Sequence, residues 1–367
     1  MSQIKNIIIC AAVSAAAASA GAQTSVTMYG LLDTSVEHLT NTGPNGRGLT
    51  RVPSLTGTLP SRLGFRGKED LGGGLNAVFA LEMGIAPDSG ALNQGGRAFG
   101  RQAYVGLAGP WGSVTVGRQY TALLHALFDA EILGPNAFGT ASFDSYLPNT
   151  RVDNSIAYMG KFSGWTLGAT YSLGRDAVNA GPSPSGTNCP GENSNDSKAC
   201  REWSALVKYD TPAWGAAFAT DAFRGGPGAF AGLTASSMTD KRTTLNGYAK
   251  FGQLKVGGGL LRRKNDAAAA APRSDLWFLG ASYKVTSALV IDAELIRYRV
   301  KSTSQGGTQV VVRAMHNFSK RTGVYVNVGR MNNDGTSAFS VSASQSGGSP
   351  PAGASQTGLG IGIRHFF

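Results

Sequence analysis

Short and long connections alternate strictly along this chain, and few folds can be built from such an alternation. The short ones are 69–73, 108–112, 161–164, 210–213, 252–253, 285–287 and 319–322. The long ones are 38–57, 87–97, 121–150, 175–200, 224–241, 265–273, 300–306 and 332–356. Between them, apolar residues fall at every second position. In "GWTLGATYSLG", Trp165, Leu167, Ala169 and Tyr171 oppose Thr166, Gly168, Thr170 and Ser172. In "QVVVRAMHNF", Val310, Val312, Ala314 and Phe318 oppose Val311, Arg313, Met315 and Asn317. In "TSVTMYGLLD", Val26, Met28 and Leu32 oppose Thr27, Tyr29, Leu31 and Asp33. A period of two marks a strand with one apolar and one wetter face. Seven short and eight long connections between consecutive strands imply about 16 strands in an antiparallel up-and-down sheet.

The aromatic residues say what surrounds that sheet. Trp111, Phe162, Trp165, Tyr209, Trp214, Phe251, Tyr283, Phe318 and Tyr325 all lie beside the short turns. Amphipathic rings gathered at one level mark a membrane interface. In hydrocarbon each unpaired backbone group costs several kcal/mol, so a spanning sheet must close into a barrel. The C-terminal "GLGIGIRHFF" alternates to its last residue. It is expected to close the barrel onto "TSVTMYGLLD", with Leu359, Ile361 and Ile363 towards lipid and Phe367 in the aromatic girdle. Residues 1–22 read as a signal peptide, with Lys5, an Ile/Ala/Val run and the small-x-small Ala20-Gly21-Ala22. The run is too short and alanine-rich for a comfortable span of about 20 residues, although an uncleaved anchor is the alternative. The mature barrel is then 23–367, and Cys10 leaves with the leader.

The chain has 51 glycines, only 15 % charged residues and a net charge of +11, or +10 without Lys5. An exported, glycine-rich chain lacking basic clusters argues against nucleic acid and fits attraction of small anions. Cys189 and Cys200 stand among polar turn formers and are expected to pair in an oxidising compartment, since no further Cys or His nearby favours metal. His38, His125, His316 and His365 are scattered, and no metal or catalytic motif appears. No cofactor is implied.

The segments "SRLGFRGKEDLGGGL" (61–75), "GRQAYVGLAGPWGSVTVGRQY" (100–120), "RVDNSIAYMG" (151–160) and the closing "GIRHFF" resemble the Gram-negative general porins, in particular the trimeric β-proteobacterial porins such as those of Burkholderia, Bordetella and Comamonas. The resemblance spans essentially the whole mature chain. It implies a homotrimer of transmembrane barrels in the outer membrane, exported through the periplasm and surrounded by outer-membrane lipid and lipopolysaccharide. It also implies handling by the barrel-assembly machinery through the C-terminal strand, and a third long loop folded into each pore. Here that loop is 121–150, which carries Leu123, Leu124, Leu127, Phe128, Ile132, Leu133 and Phe138, an odd content for a solvated loop. A lid on top of the barrel is the alternative.

In such porins an arginine ladder faces the loop, and the resemblance maps it onto Arg62, Arg101 and Arg151. Alternation independently turns Arg62 and Arg66 inward, opposite Leu63 and Phe65. It likewise turns Arg151 and Asp153 inward, opposite Val152, Ile156 and Tyr158. An arginine facing mid-membrane hydrocarbon would cost a few kcal/mol. Arg118 shares parity with Val114 and Val116, which leaves two readings: contact with a neighbouring subunit, as in related porins, or snorkelling at the rim. The acids of the constriction are expected from Asp129 and Glu131, with Asp144 further along. Ala137 stands where enterobacterial porins have a glutamate, which tilts the throat positive. The expected function is passive diffusion of ions and small hydrophilic solutes with anion preference. The rivals are a substrate-specific channel, an outer-membrane enzyme and a structural or adhesive barrel.

Overall fold

The computed structural model describes residues 25–55, 57–134, 136–176, 188–229, 232–268 and 272–367; the expected leader, 1–22, lies outside them. Seventeen strands form one sheet. In chain order they are β1 (Ser25–Thr42), β2 (Arg47–Arg51), β3 (Arg62–Gly72), β4 (Leu75–Gly84), β5 (Gln102–Gly109) and β6 (Gly112–Tyr120). There follow β7 (Arg151–Phe162), β8 (Trp165–Ser172), β9 (Glu202–Asp210), β10 (Trp214–Arg224), β11 (Thr239–Phe251) and β12 (Leu254–Asn265). The last are β13 (Arg273–Lys284), β14 (Leu289–Val300), β15 (Gly306–Asn317), β16 (Thr322–Asp334) and β17 (Gln356–Phe366). Consecutive strands from β3 to β17 pair antiparallel, and β1 pairs with both β3 and β17, so sixteen strands close a barrel. At the seam Gly30 and Phe367 exchange backbone hydrogen bonds of 3.1 Å each way, and the Phe367 ring covers Gly30 where a side chain would collide with it.

The extra strand corrects one boundary. Segment 38–57 is not a plain loop: β1 continues to Thr42 and turns back through the glycines of "TGPNG" into β2. Gly43 and Gly46 hold φ of +67° and +61°, which suits glycine and allows the tight reversal.

Alternation along each strand separates two environments. Outward positions are exposed and apolar, as at Val26, Met28, Val105, Val116, Phe218, Leu245, Leu279 and Ile361. Inward positions are largely polar and shielded by neighbours, as at Asp33, Glu82, Glu202, Asp221, Arg242 and Asp292. Trp111, Phe162, Trp165, Trp214, Phe251, Tyr283 and Phe318 are exposed beside the short turns, as a membrane belt requires. Tyr325 departs from the expected girdle: it points inward and its hydroxyl donates to Asp33 Oδ1 (2.5 Å).

Segment 121–150 meets the inward face of the far wall. A helix, Ala122–Leu127, and two short 3-10 turns bury Leu123, Leu127, Leu133, Phe138, Phe143 and Leu147 together. The wall is thinned to receive it. A Cβ on Gly257 would overlap the Ala130 carbonyl oxygen, and one on Gly280 would lie 2.9 Å from Ile132 Cβ. The last long connection, polar in sequence, joins this cluster through Val341 and Phe339, and Ala343 N donates to Ala137 O (2.8 Å).

Candidate functional site

Six arginines converge on one cavity of about 590 Å3 inside the barrel. Arg62 and Arg66 come from β3, Arg101 from the residue before β5, and Arg151 from the start of β7. Arg313 of β15 and Arg364 of β17 complete the set. Segment 121–150 faces them with Leu124, Phe128, Ile132 and Leu133. Among the described residues, the carboxylates lining this space are Glu82 of β4 and Glu131.

The contacts hold the guanidinium groups without cancelling them. Arg101 Nε donates to Glu82 Oε1 (2.7 Å), and Arg62 Nε lies 3.5 Å from Glu82 Oε2. The other partners are mostly neutral. The Tyr120 hydroxyl oxygen accepts from Arg101 Nη2 (2.7 Å) and Arg151 Nη2 (3.0 Å). Backbone carbonyls of Pro60 and Pro148 accept from Arg62 and Arg151, each at 3.1 Å. Arg151 lies 4.6 Å over the Tyr120 ring and Arg66 5.3 Å over Tyr29. Neutral acceptors and ring faces fix a cation in place and leave its field intact. Arg313 is balanced by Asp292 at 2.7 Å, but one carboxylate serves both Arg62 and Arg101.

The loop acids do not form the expected opposing row. Asp129 is ion-paired with Lys208 of β9 and lies outside the cavity lining. Glu131 is buried, and Thr140 Oγ1 donates to its Oε1 (2.5 Å). Burial pushes its carboxyl up to about 7 despite that hydrogen bond. Asp144 anchors the loop: its carboxylate accepts from Arg242 Nε (2.7 Å) and Nη2 (3.0 Å) of β11, which holds it down to about 2 in spite of burial. Two further attachments flank it. The Tyr146 hydroxyl contacts Glu202 (2.7 Å) and Asp221, and Leu133 N donates to Glu294 Oε2 (2.8 Å).

Asp153 also differs from its sequence placement. A register shift between Gly117 and Gln119 gives β7 one extra residue opposite β6, with Asn154 at φ +49°. The bulge breaks the alternation on which the Asp153 placement rested, whereas Arg118 keeps the parity of Val114 and Val116 in its regular pairing with Ala103. Asp153 meets Arg118 Nη1 (2.6 Å) and Arg97 Nη2 (3.1 Å), away from the cavity lining. Arg118, buried within its own chain, also donates from Nε to Gly100 O (2.7 Å). Cys189 and Cys200 are joined as a disulfide, Cα atoms 5.3 Å apart, in the loop between β8 and β9. Alternation held the signal for the residues missed here: Arg313 opposes Val310 and Val312, and Arg364 opposes Ile361 and Ile363. Glu82 opposes Phe79, Leu81 and Met83 in the same way, whereas Tyr120 carried no comparable signal. Among the described residues, no group of three or more His, Cys, Asp or Glu could hold a metal ion.

A family model described as Gram-negative porin matches residues 10–336. The chain belongs to that family. It is 30 % identical over 380 residues to outer membrane porin protein 32 of Delftia acidovorans, covering 99 % of this chain and 100 % of that one. An outer membrane porin protein of Bordetella pertussis is 35 % identical over 196 residues, 48 % of this chain and 51 % of that one. Among solved structures, an anion-selective porin from Comamonas acidovorans superposes with a TM-score of 0.76. The two are 26 % identical, over 94 % of this chain and 100 % of that one. The OmpT outer membrane protein of Vibrio cholerae, solved in a trimer form, shares the fold alone at 16 % identity (TM-score 0.64; 94 % of this chain, 99 % of that one). Family and closed barrel together make this an outer-membrane porin, and the family is not an enzyme class.

Proposed function

We propose that this porin is a general diffusion channel whose throat, bounded by loop 121–150, prefers anions and small hydrophilic solutes. The observation that carries the reading is the lining of the cavity: six arginines and, among the described residues, as acids only Glu82, shared between two of them, and the buried Glu131. Charge fixed around a narrow water-filled passage biases which ions enter. Arginines held by Tyr120 and by carbonyls do not collapse onto acids, so a passing anion meets them directly. The loop sets the width through its attachments at Asp144, Tyr146 and Leu133. The likeness to an anion-selective porin supports the charge preference, and the trimer form of a protein of the same fold supports assembly as a homotrimer.

A planar bilayer with a salt gradient tests this. The reversal potential is expected to favour the anion, with closures in three equal steps. Arg151→Ala removes a cation whose neighbours are Tyr120 and Pro148 O, and is expected to shift the potential towards zero. A cation-favouring potential in the unaltered protein would refute the reading. Saturable flux of one solute with little ion conductance would favour a substrate-specific channel instead.

A further inference from the structure

A second cavity inside the barrel differs in chemistry from the arginine-lined one. It measures about 220 Å3 and lies between His125, on the helix Ala122–Leu127, and the inward faces of β5 to β8. Gln102 and Tyr120 line both cavities, so the two adjoin. From there the recess runs towards the short turn between β5 and β6, where Ser113 lines it. Among the described residues, its lining holds hydroxyls, amides and one imidazole but no carboxylate, lysine or arginine.

Cross-strand pairing sets Thr115, Ala157 and Thr170 side by side in one row, and the short Ala157 side chain leaves room between two hydroxyls. Part of this wall is engaged within the chain. Thr115 Oγ1 donates to Gln119 Oε1 (2.5 Å), and Gln119 Nε2 donates to Ser155 Oγ (3.1 Å). Three other groups have no such bond. Thr170 is only 6 % exposed, yet among the described residues its hydroxyl makes no hydrogen bond with the chain. The same holds for the Tyr104 hydroxyl and for both ring nitrogens of His125. His125 instead meets the rings of Tyr120 (6.3 Å) and Phe128 (5.9 Å) edge to face, which fixes its orientation. Burial, with Lys208 and Lys161 nearby, holds its imidazole down to about 4, so at neutral pH it offers one donor and one acceptor. Buried polar groups are ordinarily hydrogen-bonded, so these three take their partners from whatever fills the recess.

We infer that this recess binds one uncharged monosaccharide as it passes through the pore. Thr170, Tyr104 and His125 can each give and take a hydrogen bond, the pattern that a ring of hydroxyls presents in return. Met159 and Ala157 supply apolar contact for the C–H face of the ring. At about 30 Å3 per water the space holds about seven, enough for one sugar ring and too small for two. An anion gains nothing here, because the cations that would hold it face the adjoining cavity, and an amino acid would leave both its charges unpaired. The inference rests on the reading of the barrel as an open pore. It adds a class of neutral solute that the arginine field does not attract.

The test is current-noise analysis of the purified porin in planar bilayers with added D-glucose, set against a polyethylene glycol of matched radius that fills volume but carries few hydroxyls. Glucose is expected to add open-channel noise that saturates with concentration, and the polymer is not. Tyr104→Phe/Thr170→Val removes two hydroxyls at nearly constant shape and is expected to raise the half-saturating glucose concentration at least about tenfold. A glucose response no different from that of the polymer, or an unaltered half-saturation in the double variant, would overturn the inference. Neither residue lines the arginine cavity, so conductance and reversal potential of the double variant without sugar are expected to stay those of the wild type. An anion-favouring wild-type channel that ignores glucose therefore refutes the sugar site alone, whereas a protein without conductance refutes the open pore.

Discussion

The attachment of loop 121–150 to the far wall can be broken at one residue. Asp144→Ala removes both acceptors from Arg242, whose side chain is itself buried. Stripping one partner from a buried pair costs about 3–5 kcal/mol when the other is left alone. Arg242 is not left alone: Nη1 remains 3.3 Å from Asp240, and the guanidinium still lies 4.2 Å over the Tyr146 ring. About half of the penalty, ~2 kcal/mol, is therefore expected. The barrel seam is remote from this site, so the cost falls on seating of the loop. At 1.4 kcal/mol per factor of ten, ~2 kcal/mol makes the unseated loop roughly 30 times more populated. Single-channel recording reads this directly as frequent excursions to higher conductance, with weaker anion preference during each excursion. Because Asp144 is held at about 2 against an ordinary 3.8, its contribution is complete above the unfolded value and is lost as pH falls through about 2. The wild-type loop should stay seated at this anchor through mildly acidic conditions. Asp144→Ala channels with wild-type noise and conductance would refute the argument, either because the loop is held elsewhere or because it does not bound the pore.

Two further outcomes follow from the same loop. Glu131 is raised from 4.5 to about 7, so its fit is fully favourable below the unfolded value and fades as pH rises through about 7. Open-channel noise should grow from mildly acidic to mildly alkaline buffer, and Glu131→Gln, which cannot ionise, should flatten that dependence. Gly257→Val places branched carbon where Ala130 O now lies, so the loop must shift. An overpacking cost of about 1–3 kcal/mol is expected, seen as a lower melting temperature together with altered conductance; an unchanged melt would mean that the loop does not rest on that glycine.

How much of this was legible beforehand depends on the range of the interactions. Each strand's facing is a local property, because successive side chains point to opposite faces. Val310 and Val312 outward with Arg313 inward, or Ile361 and Ile363 outward with Arg364 inward, could be read directly from alternation. The alternation of short turns and long loops likewise fixed an up-and-down sheet and its sixteen-strand closure, since a membrane leaves no strand edge unpaired. Arg62 and Arg66 followed from the same rule; Arg151 came from the resemblance, because Val152, expected to face outward, is buried across the irregularity from Ile156.

Alternation has no memory across an irregularity, and there the sequence reading failed. One extra residue in β7 near Asn154 moved Asp153 out of the expected lumen row and onto Arg118, where a strict period of two places them on opposite faces. The partners of the loop acids were beyond any local rule as well. Asp129 finds Lys208 and Asp144 finds Arg242 because segment 121–150 packs against β9 and β11, while Glu131 finds Thr140 within the segment itself. Glu82 and Tyr120 joined the arginines across strands rather than along one. The sequence by itself determined the barrel, its membrane setting and the inward facing of arginines in regular strands, such as Arg62, Arg66, Arg313 and Arg364, all consequences of short-range periodicity and the cost of exposed backbone in lipid. Which acids meet which arginines, and so where positive charge remains uncompensated, was decided only by tertiary structure, because pairing depends on distances between segments that sequence order does not encode.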